Sequence, residues 1–264
     1  MTGGDPWDPA RYARFAAERR LPFDDLVALL APRRAGRVLD LGCGAGELTL
    51  ELHLRLGALE TLGLDSSPAM LGKAAAHAGA GLRFERGDAG TLGDGARDPA
   101  AGRWDLVFSN AALHWVEGHE ALLPRLAALV APGGQLAVQV PCNDHHPSHA
   151  VARAVAAEPP FREALGGWTR QSPVLPPERY AELLFQLGFT ARRVRLEVYG
   201  HQLASRGEVV EWVRGTTLTD YQRRLPEGLW PGFLARYRAL LAEALPDDRP
   251  FLYTYRRLLL WGRR

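Results

Sequence analysis

The chain has 264 residues, of which 47% are hydrophobic and 23% charged, a composition typical of a globular protein with a full core. The net charge is only +2 and the basic residues are scattered, which argues against a nucleic-acid partner. The two cysteines, Cys43 and Cys142, are too few for a disulfide framework, and no apolar run is typical of a signal peptide or a membrane span. We therefore expect a soluble cytoplasmic protein without a membrane partner.

The first part of the chain predicts a helical cover followed by a cofactor-binding core. Residues 1–35 are expected to be helical, with a helix that starts near Asp8. Residues 36–141 alternate short apolar runs with helical patterns, which predicts βαβ units and a parallel sheet with helices on both faces. The carboxyl ends of such strands meet at one edge, where ligands bind. The predicted strands are 37–43, 59–65, 82–88, 104–110 and 134–141.

The second half adds two predicted strands, 192–203 and 251–264. Two long segments punctuated by proline, 142–180 and 204–248, have helical patterns. Because they are longer than ordinary connections, they are predicted to form a helical cap inserted after strands 5 and 6. The whole chain, 1–264, is thus predicted to be a single domain.

The stretch VLDLGCGAGELTLEL, residues 38–52, predicts a strand, a glycine turn and the start of a helix. A dinucleotide fingerprint, G-x-G-x-x-G, would place its third glycine at position 47, which is occupied by Glu47. A carboxylate there would repel a phosphate, and Asp40 adds a second negative charge at the end of the strand. We therefore predict a cofactor that carries positive charge and no phosphate.

Polar residues end the following strands at the same predicted edge. Asp65 lies 21 residues after Gly44, where an acidic residue would bind the two ribose hydroxyls of a nucleoside. Asp88 is placed to accept a hydrogen bond from an adenine amino group, and Asn110 ends the strand next to the predicted switch in strand order. One such residue alone is typical of a turn or a helix cap, but the set in register with the turn predicts a nucleoside cofactor.

Five segments resemble, in order and spacing, the motifs of class I S-adenosylmethionine-dependent methyltransferases: VLDLGCGAG, GLDSSPAML, GDAGTL, WDLVFSNAALHWV and LVAPGGQLAV. The resemblance implies a Rossmann-like, seven-stranded, mostly parallel sheet with an antiparallel last strand, and S-adenosylmethionine as cofactor. This cofactor has a sulfonium, an ammonium and a carboxylate but no phosphate, as the turn predicts. The resemblance also implies cofactor-binding roles for Asp40, Gly42, Gly44, Asp65, Ser66, Asp88, Ala89 and Asn110.

Further segments look like trans-aconitate 2-methyltransferases, a family that methylates one carboxylate of a small tricarboxylic acid. They are RYARFAAERRLPFDDLV, the stretch from NAALHWV to QVP, PSH at 147–149, EVVEWVRGT and the ending YRRLLLWGRR. The resemblance implies a carboxyl O-methyltransferase acting on a small polycarboxylic acid such as trans-aconitate. Family positions map onto His114, Trp115, Gln139, Pro147, His149, Trp212, Val213 and Arg257.

The predicted acceptor site contains His114 as the catalytic residue, because it follows the fourth strand near the point where the methyl group should emerge. Arginine is expected to hold the acid, since its planar fork makes two parallel bonds to a carboxylate. The structural alternative for His114 is a histidine packed at a helix start, and the alternative for an arginine is a surface ion pair. The predicted substrate-binding residues are Tyr12, Asn143, His149, Tyr199, Trp212, Arg214 and Arg257.

One departure from the family pattern leaves the acceptor open. The segment Thr217–Asp220 replaces Gly-Leu-Arg-Pro, which removes an arginine and adds a carboxylate. The alternative is therefore the same fold and cofactor with methyl transfer to oxygen or carbon of a carrier-bound acyl chain or a secondary metabolite. A nicotinamide oxidoreductase and a silent binding protein also share the fold. A metal site at His145 and His149 is conceivable, but Pro147 interrupts the helix and no metal is predicted.

Overall fold

The computed structural model describes residues 16–31, 36–92 and 102–264. The chain divides into two compact units. Unit 1 comprises Met1–Pro141, Pro173–Glu197 and Arg257–Arg264, and unit 2 comprises Cys142–Ser172 and Val198–Arg256. The predicted helix start near Asp8 and the predicted ligand Tyr12 lie outside the described residues.

Seven strands form one sheet in the order β3-β2-β1-β4-β5-β7-β6. Strands β1 to β5 pair in parallel, and β7 runs antiparallel to β5. This confirms the predicted Rossmann-like, seven-stranded, mostly parallel sheet, with its switch in strand order between β1 and β4. The strands are β1 Arg37–Leu41, β2 Glu60–Asp65, β3 Leu82–Arg86, β4 Trp104–Asn110, β5 Val130–Pro141, β6 Ala191–Leu203 and β7 Phe251–Arg263.

Helices precede β1, follow β1, β2 and β4, and fill the segments after β5 and β6. In chain order they are α1 Ala16–Ala28, α2 Glu47–Leu56, α3 Pro68–Ala74, α4 His119–Leu129, α5 Pro147–Ala156, α6 Phe161–Ala164, α7 Pro177–Gln186, α8 Glu208–Arg214, α9 Thr217–Arg224 and α10 Trp230–Ala244. Helices α5, α6 and α8 to α10 belong to unit 2, and the others belong to unit 1. Within the parts of the chain that the structure describes, none of them combines the length and apolar character of a membrane-spanning helix.

The core of unit 1 lies between α1 and one face of the sheet. Phe23 of α1 contacts Phe108 of β4 edge to face, with ring centroids 5.8 Å apart. Phe108 pairs in register with Ala137 of β5, and Ala137 with Trp261 of β7, so all three side chains share the face that α1 covers. Because side chains alternate along a strand, the residues two positions after Phe108 in β4 and after Ala137 in β5, namely Asn110 and Gln139, lie on this same face.

The core of unit 2 is aromatic. Phe233 of α10 packs edge to face against Phe161 of α6, with centroids 5.3 Å apart, and stacks on Tyr221 of α9 at 5.2 Å. Both Phe233 and Tyr221 are fully buried. Burial of such large rings supplies a core to this unit, which consists of helices and the ends of two strands.

Candidate active site

The glycine turn after β1 needs glycine for two different reasons. Gly42 and Gly44 have φ angles of +74° and +57°, in the left-handed region that favours glycine. A Cβ on Gly42 would also lie 2.1 Å from the Cβ of Ala112, so the turn approaches the segment after β4 too closely for any side chain. A Cβ on Gly44 would meet no atom within 4 Å, so the turn opens to a cavity at this residue.

The amides of this turn are bonded to the protein itself. The N–H groups of Gly42 and Cys43 donate to the carbonyl oxygen of Leu64 at 2.8 and 3.0 Å. The Gly44 N–H donates to Asp65 Oδ2 at 2.9 Å. These three donors therefore fix the turn against β2 and do not form the open row of amides that holds a pyrophosphate.

Two predicted acidic ligands are fixed by backbone amides. Asp65 Oδ1 accepts from the N–H of Ser67 at 2.9 Å, while its Oδ2 accepts from Gly44. Each carboxylate oxygen can accept a further bond, so Asp65 keeps one free position on each oxygen for a diol. Asp88 is exposed, and its Oδ1 accepts from the N–H of Gly90 at 2.8 Å.

A cavity of about 250 Å³ lies at the carboxyl edge of the sheet in unit 1. Its size approaches that of small-molecule sites, which run from roughly 300 to 1,000 Å³. Five residues that follow β4 belong to its lining: Ala111, Ala112, Leu113, Trp115 and Val116. Among the residues predicted to bind the cofactor, the wall contains Gly42, Gly44, Asp65, Ser66, Asp88 and Ala89.

Asp40 is buried beside this cavity rather than in its wall, as far as the described residues form that wall. Its Oδ2 accepts from the hydroxyl of Thr49 at 2.6 Å. Burial raises the pKa of Asp40 to about 7, the charge of Asp65 adds to the increase, and the Thr49 hydrogen bond opposes it. A cation bound nearby would favour the ionised form. Burial also raises the pKa of the Cys43 thiol, so this cysteine is a small packed side chain and not a nucleophile.

His114 lies next to the cavity, in a short 3₁₀ helix formed by Leu113–Trp115. The residues on either side of it line the cavity, but His114 itself does not belong to the described wall. Its ring is half-buried and contacts the ring of Trp115, with centroids 4.8 Å apart. The catalytic role stays a prediction.

A buried hydrogen-bond chain that the sequence did not indicate fixes this 3₁₀ helix. His119 Nε2 lies 2.9 Å from the carbonyl oxygen of Leu113, and His119 Nδ1 contacts the hydroxyl of Tyr180. The backbone N–H of Leu175 donates to the same hydroxyl at 3.2 Å. Because a carbonyl oxygen can only accept, Nε2 carries the proton and Nδ1 accepts from Tyr180. Burial lowers the pKa of His119, which keeps this neutral form.

Three polar residues share the α1 face of the sheet near its carboxyl edge. Asn110 pairs in register with Gln139, and Arg257 pairs with Pro141, two residues farther along β5. Gln139 is fully buried and Arg257 is 4% exposed. Asn110 and Arg257 are predicted ligands, whereas Gln139 matches a family position but was not predicted to be a ligand.

In unit 2, the structure brings three predicted substrate ligands close to one aromatic cluster. Asn143 and His149 are both buried, and burial lowers the pKa of His149 to about 4, so it is neutral. The His149 ring lies 6.4 Å from that of Tyr255, and Tyr255 lies 6.0 Å from Trp212. Asn143 Oδ1 accepts from the backbone N–H of Arg256 at 3.1 Å, next to Tyr255 in β7. Their roles as ligands stay predictions.

The remaining predicted ligands of unit 2 have other surroundings. Tyr199 is buried in β6. Arg214 forms an ion pair with Glu211 of its own helix at 3.1 Å, the structural alternative to a role in holding the acid. His145 precedes α5, which starts at Pro147, so His145 and His149 do not have helical spacing. No group of three His, Cys, Asp or Glu side chains that could hold a metal occurs among the residues the structure describes.

A parallel sheet of this order with an antiparallel last strand, and an acidic cavity beside a glycine turn, defines the Rossmann-like methyltransferase class. Residues 12–194 match the family described as "Methyltransferase domain". The trans-aconitate 2-methyltransferase of Deinococcus radiodurans is 42% identical over 264 residues, which is 98% of each chain. The chain therefore belongs to the S-adenosylmethionine-dependent methyltransferases, in the family of the trans-aconitate 2-methyltransferases.

Solved structures show the same fold at lower identity. The YcgJ protein of Bacillus subtilis superposes with a TM-score of 0.61 at 16% identity, over 93% of this chain and 98% of that chain. A phosphoethanolamine N-methyltransferase of Haemonchus contortus, in complex with S-adenosylhomocysteine, superposes with a TM-score of 0.54 at 17% identity, over 93% of this chain and 52% of that one.

The site fits S-adenosylmethionine, which supplies an electrophilic methyl group on a sulfonium. The open space at Gly44 can admit a ligand against the backbone, and Asp65 retains acceptor capacity for a ribose diol. The turn amides at Gly42 and Cys43 are bonded to β2, which suits a cofactor without phosphate. The buried carboxyl of Asp40 can respond to a cation by ionising.

Proposed function

We propose that the protein transfers the methyl group of S-adenosylmethionine to a carboxylate oxygen of a small polycarboxylic acid such as trans-aconitate. The observation that carries the proposal is the 42% identity, over 98% of both chains, to a protein named trans-aconitate 2-methyltransferase. Identity of this extent reaches well beyond residues 12–194, the part that matches the general methyltransferase domain. The acceptor class is therefore inferred together with the fold.

In this proposal the wall of the cavity binds the nucleoside. Asp65 accepts the two ribose hydroxyls, since each of its oxygens has one remaining acceptor position. Asp88 accepts from the adenine amino group, while Ser66 and Ala89 also line the cavity. Gly44 allows the ligand to approach the backbone, because no side chain fills the cavity there.

Asp40 and Asn110, which do not belong to the described wall of the cavity, are proposed to act on the methionine part of the cofactor. Asp40 supplies a negative charge to the cofactor. Ionising this buried carboxyl costs less free energy once a cation lies nearby. Asn110 ends β4 directly before the segment 111–116 that lines the cavity.

The proposed reaction requires the protein to position the carboxylate and does not require a general base. A carboxyl group with a pKa of about 4 is already ionised at neutral pH. The protein must hold one oxygen at roughly 3 Å from the methyl carbon, in line with the departing sulfur, and exclude water. Arg257 is a suitable holder because it is a buried, permanently charged fork on β7. His114 is proposed to orient the acid from the turn next to the cavity.

The departure at Thr217–Asp220 does not leave an isolated negative charge. Asp220 Oδ2 lies 3.1 Å from Nε of Arg170, and the two side chains are 20% and 13% exposed. The added carboxylate is therefore neutralised within unit 2. This observation weakens the electrostatic reason for expecting a different acceptor.

The test is ester formation from a panel of di- and tricarboxylic acids, with S-adenosylmethionine as donor and mass detection of the monomethyl product. A matched panel of neutral amides of the same acids serves as the control. The Asp65→Ala variant should lose activity on every acceptor through weakened cofactor binding. Methyl transfer only to carrier-bound chains or to uncharged scaffolds would refute the proposal.

A further inference from the structure

Gln139 carries a buried side-chain amide on β5. The side chain is fully buried, and neither Nε2 nor Oε1 has a hydrogen-bond partner in the described part of the chain. Its register partner Asn110 has the same feature at Oδ1. Buried amides in native proteins are almost always paired, so such atoms call for a missing ligand or water.

The register shows what surrounds this amide. Asn110, Gln139 and Leu259 are paired across β4, β5 and β7, so their side chains project from one face of the sheet. Arg257 lies two residues before Leu259 on β7, on the same face and diagonal to Gln139. The face therefore presents, at the carboxyl edge of unit 1, the buried guanidinium of Arg257 and two side-chain amides whose atoms lack partners within the described residues, namely Oδ1 of Asn110 and both polar atoms of Gln139.

The chemistry of the row indicates two kinds of ligand group. Oδ1 of Asn110 and Oε1 of Gln139 are acceptors, which need a donor such as an ammonium. Nε2 of Gln139 is a donor, as is the guanidinium of Arg257 on the same face, and both groups suit a carboxylate. An ammonium and a carboxylate are the polar ends that a cationic amino-acid cofactor and a polyacid would bring to this edge.

We propose that Gln139 binds the methyl acceptor: its Nε2–H group donates to a carboxylate of the acid that Arg257 also holds. This inference rests on the proposed function, since it presupposes an anionic acceptor. Oε1 of Gln139, together with Oδ1 of Asn110, accepts from the ammonium of the cofactor. Gln139 thus positions the acid relative to the cofactor and takes no part in proton transfer.

The isosteric Gln139→Glu variant tests the donor without changing shape. It keeps an acceptor at Oε1 but replaces the donor with a negatively charged oxygen. We expect the KM for the acid to rise by more than about 10-fold, the loss that follows from removing one hydrogen bond to a charged group. The Kd of S-adenosylmethionine, measured by calorimetry, should stay the same or fall. Gln139→Leu should also raise the acid KM, and its Tm should not fall.

Gln135 offers a matched control on the same strand and face. It is buried like Gln139, but its Oε1 accepts from the N–H of Ala31 at 2.7 Å and from Trp261 Nε1 at 2.8 Å. Gln135→Leu should therefore lower Tm and leave the acid KM unchanged. The opposite pattern, with the acid KM insensitive to Gln139→Glu, would overturn the inference.

Two further outcomes separate the causes of failure. An increase in the cofactor Kd with no change in the acid KM would show that the Gln139 amide belongs wholly to the cofactor, which overturns the assignment. Wild-type enzyme that forms no ester from any acid would refute the proposed function itself. Wild-type turnover with an unaltered acid KM in both Gln139 variants would refute only the present inference.

Discussion

Replacing Asp40 by asparagine should stabilise the ligand-free protein at neutral and alkaline pH. Burial raises the pKa of Asp40 from 3.8 to about 7, so folding disfavours its ionised form. Below pH 3.8 the carboxyl is protonated in both the folded and the unfolded chain and costs nothing. As the pH rises from 3.8 to 7, the unfolded chain loses the proton first, and the free energy of unfolding falls.

The pKa difference sets the size of this effect. About 3 pH units correspond to about 4 kcal/mol at 1.36 kcal/mol per unit, reached above pH 7. Asparagine stays neutral at every pH, and its Oδ1 can still accept the Thr49 hydroxyl that Asp40 accepts at 2.6 Å. The stability gain of Asp40→Asn over wild type should therefore grow by about 1.4 kcal/mol per unit between pH 5 and 7 and level off above 7.

Urea denaturation of both proteins at half-unit intervals from pH 5 to 8.5 measures this gain. The Thr49→Val variant is the control: without the hydroxyl, the pKa of Asp40 should rise further, and the plateau should move to higher pH. A gain in Asp40→Asn that is independent of pH would show that Asp40 is ionised throughout this range, which would refute the electrostatic account.

The same substitution should separate stability from function. If Asp40 supplies negative charge to the cofactor, Asp40→Asn should bind S-adenosylmethionine more weakly although it is more stable. Cofactor binding to wild type at pH 7 should release a fraction of a proton, detectable by calorimetry in buffers of different ionisation enthalpy, and the variant should release less. Equal cofactor affinity in both proteins would assign Asp40 to folding alone.

Three other substitutions test single contacts. Gly44→Ala strains a φ of +57° and should lower the free energy of unfolding by about 1 kcal/mol. It also places a methyl group in the cavity, so the affinity for the cofactor should fall even under conditions where the variant is fully folded. Tyr180→Phe removes the donor to His119 Nδ1, which should cost about 1–3 kcal/mol in urea denaturation and raise the pKa of His119 in NMR titration; an unaltered pKa would contradict the assigned proton positions. Asp220→Ala leaves Arg170 without this carboxylate and should lower the free energy of unfolding by about 1–3 kcal/mol. The double variant, in which Arg170 is also replaced by alanine, should recover part of that loss. Additive losses from the two single substitutions would show that the pair is not coupled.

The sheet and the cavity wall were predictable because their signals are local. Alternating apolar runs and helical patterns specify βαβ units, and a crossover rule then fixes where the strand ends meet. The glycines at 42 and 44 mark positive φ angles, which few other residues adopt. The position of Asp65 at the end of β2 could be predicted from the sequence, and the structure shows its Oδ2 accepting from the N–H of Gly44.

Contacts between distant segments left no such signal. His119 and Tyr180 are 61 residues apart, and neither stands in a pattern that predicts its partner. The boundary between the two units falls inside β6 and β7, where the sequence continues a strand pattern without a change in composition. The burial of Gln139 was not evident either, since a glutamine in an apolar run is compatible with an edge strand as well as with a ligand site.

The selectivity for a cofactor without phosphate follows from how the turn uses its own donors. In addition to the three amides bonded to β2, the N–H of Gly46 donates to the carbonyl oxygen of Cys43 at 3.1 Å. A pyrophosphate would have to compete for these donors while approaching Glu47, which is the first residue of α2 and occupies the helix N-terminus with its own carboxylate. We expect a sulfonium with an ammonium to meet no such competition, because acidic side chains such as Asp40 and Asp65 would attract it. We therefore expect the turn to discriminate through donors that are already bonded and through the buried carboxyl of Asp40, whose ionised form a nearby cation would favour.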